Sequence, residues 1–273
     1  MDILCEPYFS DSSKSLRVES LKSAIAVWYA FTPKQASVCE RYASLLSHEE
    51  RLRAAAFRFP QDRNRFIYAH GLLRILTGQI LHVLPDKLTF RRGKNGKPFL
   101  AIPHEGLFFS LSHARNLVAC AFSLQFPVGV DVEYRSYKWD FIPLAQTLFH
   151  KREANAITSA SSTFTARKIF FDVWTRKEAF LKATGEGLTR PLNSFCTLSP
   201  DGPIWENTPE GPLRQGQWWV RQYAPATQYS MAVAYPHTDS EVFSDISPNQ
   251  RTDAVFSLQG VSYPADFHWG SDT

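Results

Sequence analysis

Gly129-Val130-Asp131-Val132-Glu133 is the stretch from which the fold can be read. Val128, Val130 and Val132 alternate with Asp131 and Glu133, the period of a half-buried strand with apolar residues on one face and both carboxylates on the other. Two acids side by side raise each other's pKa unless a cation sits between them, and a hard divalent ion held by oxygen ligands supplies that cation. Downstream, Trp174-Thr175-Arg176-Lys177-Glu178-Ala179-Phe180-Leu181-Lys182 falls in a helix predicted from about Phe164 to Thr184 and closed by Gly185. Glu178 and Lys182 share one face of it, adding a third carboxylate and an ammonium. Each feature has an ordinary reading too, since exposed strands carry acids for solubility and Glu/Lys pairs decorate helix surfaces. The surrounding segments tip the balance.

Before the acidic strand, Phe108–His113 and Leu117–Phe122 read as two short strands flanking a polar corner, with Ser112 and His113 expected in the connecting turn. Hydroxyl, imidazole and free backbone N–H groups at such a turn suit phosphate oxygens. Gly93-Lys94-Asn95-Gly96-Lys97-Pro98-Phe99 reads as a tight turn, and no acid lies between Lys87 and Lys97. Across residues 51–65, Arg51, Arg53, Arg58, Arg63 and Arg65 face a single acid, Asp62, and an apolar helical stripe follows from Phe66 to Leu76. Such a run is an ordinary solvated face, a nucleic-acid contact when aromatics interleave, or one end of a site for a polyanionic small molecule. Together with the acids, it describes a site for a metal–phosphate complex.

The order of these segments resembles the Sfp-type (surfactin-synthetase-activating type) 4′-phosphopantetheinyl transferases over about Ala24–Tyr235. The resemblance rests on Gly-Val-Asp-Val-Glu at 129–133 and on Trp-Thr-Arg-Lys-Glu-Ala-Phe-Leu-Lys-Ala-Thr-Gly-Glu-Gly-Leu at 174–188. Phe-Ser-Leu-Ser-His at 109–113, Gly-Lys-Pro at 96–98 and the helix Arg65–Arg74 add to it. It implies transfer of phosphopantetheine from coenzyme A to a serine hydroxyl of an apo acyl, peptidyl or aryl carrier protein, with release of 3′,5′-ADP. By resemblance, Asp131, Glu133 and Glu178 hold Mg2+, or Mn2+, with Asp131 also facing the cofactor. Lys182 offsets developing charge, and Glu178, directly or through a metal-bound water, helps deprotonate the serine. Ser112 and His113 grip phosphate, and Arg65, Lys97, Pro98 and Arg53 complete the nucleotide end. The chain departs from the family at Ser110, where Asn is common, at Ala114, where Ser is frequent, and near Glu50, where a lysine is expected.

The expected fold is α+β: two similar lobes in pseudo-twofold arrangement, residues 1–127 and 128–236, with the active site at their interface. Residues 1–23 read as a polar lead-in and 237–273 as a strap or tail. Both halves place a long helix before a small set of strands, although no residue-level repeat is evident. A net charge of +4 fits an anionic cofactor or an acidic protein and falls short of a dedicated nucleic-acid binder. Cys5, Cys39, Cys120 and Cys196 show no C-x-x-C spacing, as expected for free thiols in a reducing cytoplasm. No stretch is apolar enough to span a membrane, and the N-terminus lacks a basic, hydrophobic leader. A cytoplasmic monomer that binds neither nucleic acid nor membrane is expected. A magnesium-dependent phosphohydrolase or nucleotidyl enzyme, and a nucleic-acid module using Phe57, Phe59, Phe66 and Tyr68, are the alternative readings. The loop Gly185–Leu192, with Arg190, is read either as a carrier-docking loop or as an ordinary helix end.

Overall fold

The computed structural model describes residues 2–5, 24–32, 36–93, 96–101, 106–138, 140–198, 201–203, 205–208, 211–214, 218–236 and 257–258. The first half runs through β1 (Asp2–Cys5), β2 (Ala24–Phe31), α1 (Ala36–Ser44), α2 (His48–Ala55) and α3 (Pro60–Leu81). It continues through β3 (Phe90–Arg92), β4 (Pro98–Leu100), β5 (Phe108–Ala114) and β6 (Leu117–Ser123). The second half follows with β7 (Gly129–Tyr134), α4 (Phe141–Leu148), α5 (Lys151–Thr158) and α6 (Thr163–Thr184). Its strands are β8 (Phe195–Cys196), β9 (Asp201–Pro203), β10 (Trp205–Thr208), β11 (Gly211–Arg214), β12 (Trp218–Tyr223) and β13 (Tyr229–Pro236), and a short β14 (Ser257–Leu258) comes last. Apart from β14, the stretch expected as a strap or tail lies outside the described residues, as does most of the lead-in.

Two sheets carry the fold. One is ordered β1-β2-β6-β5, with β14 also on β2, and the other β7-β13-β12-β9. In each, a first strand is followed by helices and then by a hairpin whose second strand pairs antiparallel with the first, β6 on β2 and β13 on β7. Strand alternation then stacks the molecule in four layers. Ile25, Val27 and Tyr29 of β2 meet Val128, Val130 and Val132 of β7 and Met231 and Val233 of β13 in a core between the sheets. Ala26, Trp28 and Ala30 turn the other way onto α3, and Ala232 and Ala234 turn onto α6. This is the expected α+β architecture, with helix, sheet, sheet and helix in succession.

The two long helices start and stop alike. α3 and α6 are both 22 residues, and α2 and α5 are both eight. α3 opens with Pro60 at its first turn and ends on a left-handed His82; α6 opens with Ser162 accepting from the Thr165 N–H and ends on a left-handed Gly185. Among the described residues, no helix is long and apolar enough to cross a membrane, and Cys39, Cys120 and Cys196 are free thiols.

Two expectations need correction. Ser112 and His113 lie within β5, because that strand runs on to Ala114 and the reversal is made by Arg115, at φ 48°, and Asn116. The acidic face of β7 is not a solvent face. α6 lies across it, leaving Asp131 only 4% exposed.

Candidate active site

The site lies where two sheet edges meet. β5 and β7 are each terminal in their sheets, so β7 presents backbone N–H groups that its own sheet does not satisfy. Ser110 and Ser112 satisfy them: the Ser110 hydroxyl accepts from the Val130 N–H at 3.0 Å and the Ser112 hydroxyl from the Val132 N–H at 3.3 Å. Ser112 in turn donates to Oδ1 of Asp131 at 2.8 Å. The serine at position 110 therefore bridges the two sheets, a role that sequence reasoning missed.

From the opposite side, α6 brings Lys182, whose Nζ sits 2.7 Å from the same Oδ1. This proximity depends on Gly129. A Cβ there would lie 1.9 Å from the Ala179 carbonyl oxygen and 2.6 Å from the Ala183 nitrogen, so only glycine lets the helix pack this tightly on the strand. Gly129, Asp131 and Glu133 thus face α6 in a row, and Glu178 and Lys182 face back.

The electrostatics show a cluster with too much negative charge on one side and too much positive charge on the other. Burial, then repulsion from Asp131 and Glu178 against attraction from Lys182, pushes the Glu133 carboxyl up to about 8. Burial and Asp131 likewise raise Glu178, with Lys182 opposing. Oδ2 of Asp131 is buried and has no hydrogen-bond partner. An ionised oxygen so placed is costly unless a cation or donor reaches it. Among the described residues, no three His, Cys, Asp or Glu side chains already converge as a metal cluster, so the three acids are neighbours rather than a closed cage.

The positive side is built from both halves. His113 is wet at the surface but flanked by protein, and desolvation together with Arg65 and Lys182 pushes its imidazole down to about 4, leaving it neutral. Arg65 pairs with Asp62 at 2.7 Å and donates to the Arg115 carbonyl at 3.4 Å, while its Nε is buried without a partner. Lys97 crosses between the halves and donates to the carbonyls of Lys182 and Ala183, at the end of α6 where helix carbonyls lack internal partners. Burial and Lys182 push its ammonium down to about 8. Lys97, Pro98, Glu178 and Lys182 line one cleft of about 660 Å³, together with Gly185 and Glu186.

The remaining expected residues stand further out. Arg53 stacks over Phe66 at 4.8 Å. Phe66 and Tyr68 are buried in the core, which leaves the nucleic-acid reading only Phe57 and Phe59 as exposed rings. In the loop after α6, Arg190 pairs with Glu186 at 3.2 Å and lies over Phe180 and Phe195, so its contacts hold the loop together.

A family model described as the 4′-phosphopantetheinyl transferase superfamily matches residues 127–234, and one described as 4′-phosphopantetheinyl transferase, N-terminal, matches residues 30–125. The 4′-phosphopantetheinyl transferase HetI of Nostoc sp. is 36% identical over 185 residues, 67% of this chain and 78% of the relative. The 4′-phosphopantetheinyl transferase psf-1 of Bacillus pumilus is 31% identical over 196 residues, covering 71% and 80%. The 4′-phosphopantetheinyl transferase Sfp of Bacillus subtilis (strain 168) is 29% identical over 202 residues, covering 73% and 86%. With both halves matched and the acids, the lysines and the seam in one place, the chain belongs to the 4′-phosphopantetheinyl transferase superfamily and is an enzyme that transfers the phosphopantetheine group to carrier proteins.

Proposed function

We propose that coenzyme A occupies the cleft between the halves, its pyrophosphate beside Asp131 and Lys182, and that Asp131, Glu133 and Glu178 hold a magnesium ion there. The observation that carries this reading is the buried, unpartnered Oδ2 of Asp131 beside Glu133 and Glu178, whose carboxyls burial and the Asp131 charge push up. The donor set is all oxygen, as magnesium requires, and the neighbouring cations leave room for phosphate. When bound, the ion supplies positive charge at the phosphoryl oxygens. Lys182 stays on Asp131 and holds a second positive charge at the same point, while neutral His113 and Arg65 receive the 3′-phosphate and Ser112 fixes the Asp131 carboxylate. Lys97 and Pro98 form the cleft wall, and Arg53 lies at the outer edge of the nucleotide end.

In the transfer, the carrier's serine oxygen bonds to the phosphorus that carries pantetheine, the bond from that phosphorus to the departing 3′,5′-ADP breaks, and the serine proton goes to a base. We assign that role to Glu178, which lines the cleft beside Lys182. Positioning and electrostatics supply the catalysis. We place the division between lobes at residues 127 and 128, which is supported by one family model ending at residue 125 and the other beginning at 127. Both sides of the site come from one chain, which supports a monomer, and the free thiols support a reducing compartment such as the cytoplasm. Mass spectrometry of an apo carrier incubated with coenzyme A, with and without magnesium, tests the reading. A phosphopantetheine mass gain that needs magnesium and is lost in Asp131→Ala is expected; full modification by that variant, or in excess chelator, would overturn the metal assignment.

A further inference from the structure

Each half contains the same buried ion-pair device at the same place. In the first, Ser47 and Glu50 form a capping box on α2, and the Glu50 carboxylate pairs with Arg74 of α3 at 2.7 Å. The same guanidinium donates to the carbonyls of Pro85 and Leu88, both at 2.9 Å, and lies over Phe90. In the second, His150 and Glu153 form a capping box on α5, and Glu153 pairs with Lys177 of α6 at 2.7 Å. Lys177 then donates to the carbonyls of Leu192 and Phe195 at 2.7 and 2.6 Å and lies over Phe195. A single shift of numbering that sets Ser47 on His150 also sets Glu50 on Glu153, Arg74 on Lys177 and left-handed His82 on left-handed Gly185. All four side chains are buried, at 7%, 1%, 0% and 0% exposure for Glu50, Arg74, Glu153 and Lys177.

What the cations hold is the informative part. Pro85–Leu88 is the foot of the β3–β4 hairpin, where Arg92 pairs with Pro98, so the tip of that hairpin carries Lys97 and Pro98. Leu192–Phe195 is the foot of the loop whose other end is Gly185 and Glu186. Both segments line the interlobe cleft, through Lys97 and Pro98 and through Gly185 and Glu186. A buried ion pair is a poor source of net stability, because desolvation offsets most of its attraction, but one that also binds two carbonyls of a remote segment fixes where that segment goes.

We infer that Glu50–Arg74 and Glu153–Lys177 are a duplicated clamp that sets the positions of the two cleft walls, and that Arg74 and Lys177 are positioning residues for the transfer reaction. This rests on coenzyme A occupying the cleft. The first clamp acts on the segment bearing Lys97 and Pro98, which line the cofactor cleft and reach α6 only through backbone carbonyls, so its loss weakens coenzyme A binding more than it slows turnover. The second lies on the helix that carries Glu178, so its loss also slows turnover.

The test uses the full-length enzyme and removes both charges of a clamp together, Glu50→Gln with Arg74→Met or Glu153→Gln with Lys177→Met, so that no unpaired charge is left buried. For the first pair, the KM for coenzyme A should rise fivefold or more with kcat within twofold, and amide exchange in residues 85–101 should quicken at least tenfold while α6 keeps its protection. For the second pair, kcat should fall tenfold or more and exchange should quicken in residues 185–198. Arg74→Lys, which keeps the charge but not the two-pronged reach to the carbonyls, should give an intermediate KM. A purely stabilising role lowers Tm and the active fraction but leaves the KM of the folded enzyme unchanged, and unchanged amide exchange in residues 85–101 would overturn the clamp. Faster exchange with an unchanged KM would instead overturn the placement of coenzyme A against that segment.

Discussion

Replacing Gly129 by alanine tests the geometry on which the site depends. The added carbon would sit 1.9 Å from the Ala179 carbonyl oxygen, where real Cβ contacts do not come under 3.0 Å, and the obstacle is helix backbone that cannot rotate away. α6 must therefore retreat from β7 by about 1 Å, and overpacking of this kind costs about 1–3 kcal/mol. Alanine recovers part of that through reduced chain entropy, leaving a net loss of about 1 kcal/mol, or roughly 2–4 °C in Tm for a chain of this size. Activity suffers more than stability. The retreat opens the 2.7 Å contact between Lys182 and Asp131 and carries Glu178 away with it, and a displacement of about 1 Å at reacting groups costs on the order of a hundredfold. Thermal melts and steady-state transfer to an apo carrier measure the two effects. Adding Ala179→Gly should restore neither, because the clash is with the main-chain oxygen. Wild-type Tm and kcat in Gly129→Ala, or rescue by the second change, would refute the argument.

Two further outcomes follow from the charges. Glu133 is raised from its ordinary 4.5 to about 8, so its proton stabilises the metal-free fold below about pH 4.5 and that contribution is lost as pH rises through 8. Tm in chelator should fall from pH 5 to 8.5, and the gain on adding magnesium should be larger at pH 8 than at pH 5.5, since binding needs ionised carboxylates; a gain independent of pH would count against these acids as ligands. His113, pushed down to about 4 by desolvation and its cationic neighbours, should stay neutral above pH 5 in NMR titration of the free enzyme, and Arg65→Met should raise its pKa, whereas an unmoved value would remove Arg65 from its surroundings.

The elements were legible wherever local chemistry decides them. Alternating valines marked β7, the apolar stripe from Phe66 to Leu76 marked α3, and Gly185 closed α6, because periodicity and capping are written within a few neighbouring residues. The acids and Lys182 were readable for the same reason: strand and helix spacing put them on single faces. What depends on meetings across the chain was not readable. Ser112 and His113 look like turn residues until β5 is seen to need small hydroxyls against the edge of β7. Arg74 reads as one more residue of a basic helix until Glu50 and two carbonyls surround it. The internal duplication also escaped comparison of residues. The shift that sets Arg74 on Lys177 sets Trp28 on Asp131, Ala30 on Glu133, Ile75 on Glu178 and Gln79 on Lys182, so one half carries the chemistry while both keep the same backbone register.

The hydroxyl-bridged seam between β5 and β7 has a consequence for the order of events when the chain folds. Apart from β14, which joins β2 from beyond both halves, each sheet and its long helix come from one half, but Ser112 meets Asp131, and Lys97 meets the end of α6, only once the halves have docked. Contacts between distant segments must repay loop closure before they add anything, so docking belongs to the late part of assembly. A refolding chain would regain its helical signal first and its activity last. A truncated chain holding only one half would keep secondary structure yet have no Asp131–Ser112 pair, because neither half contains both residues.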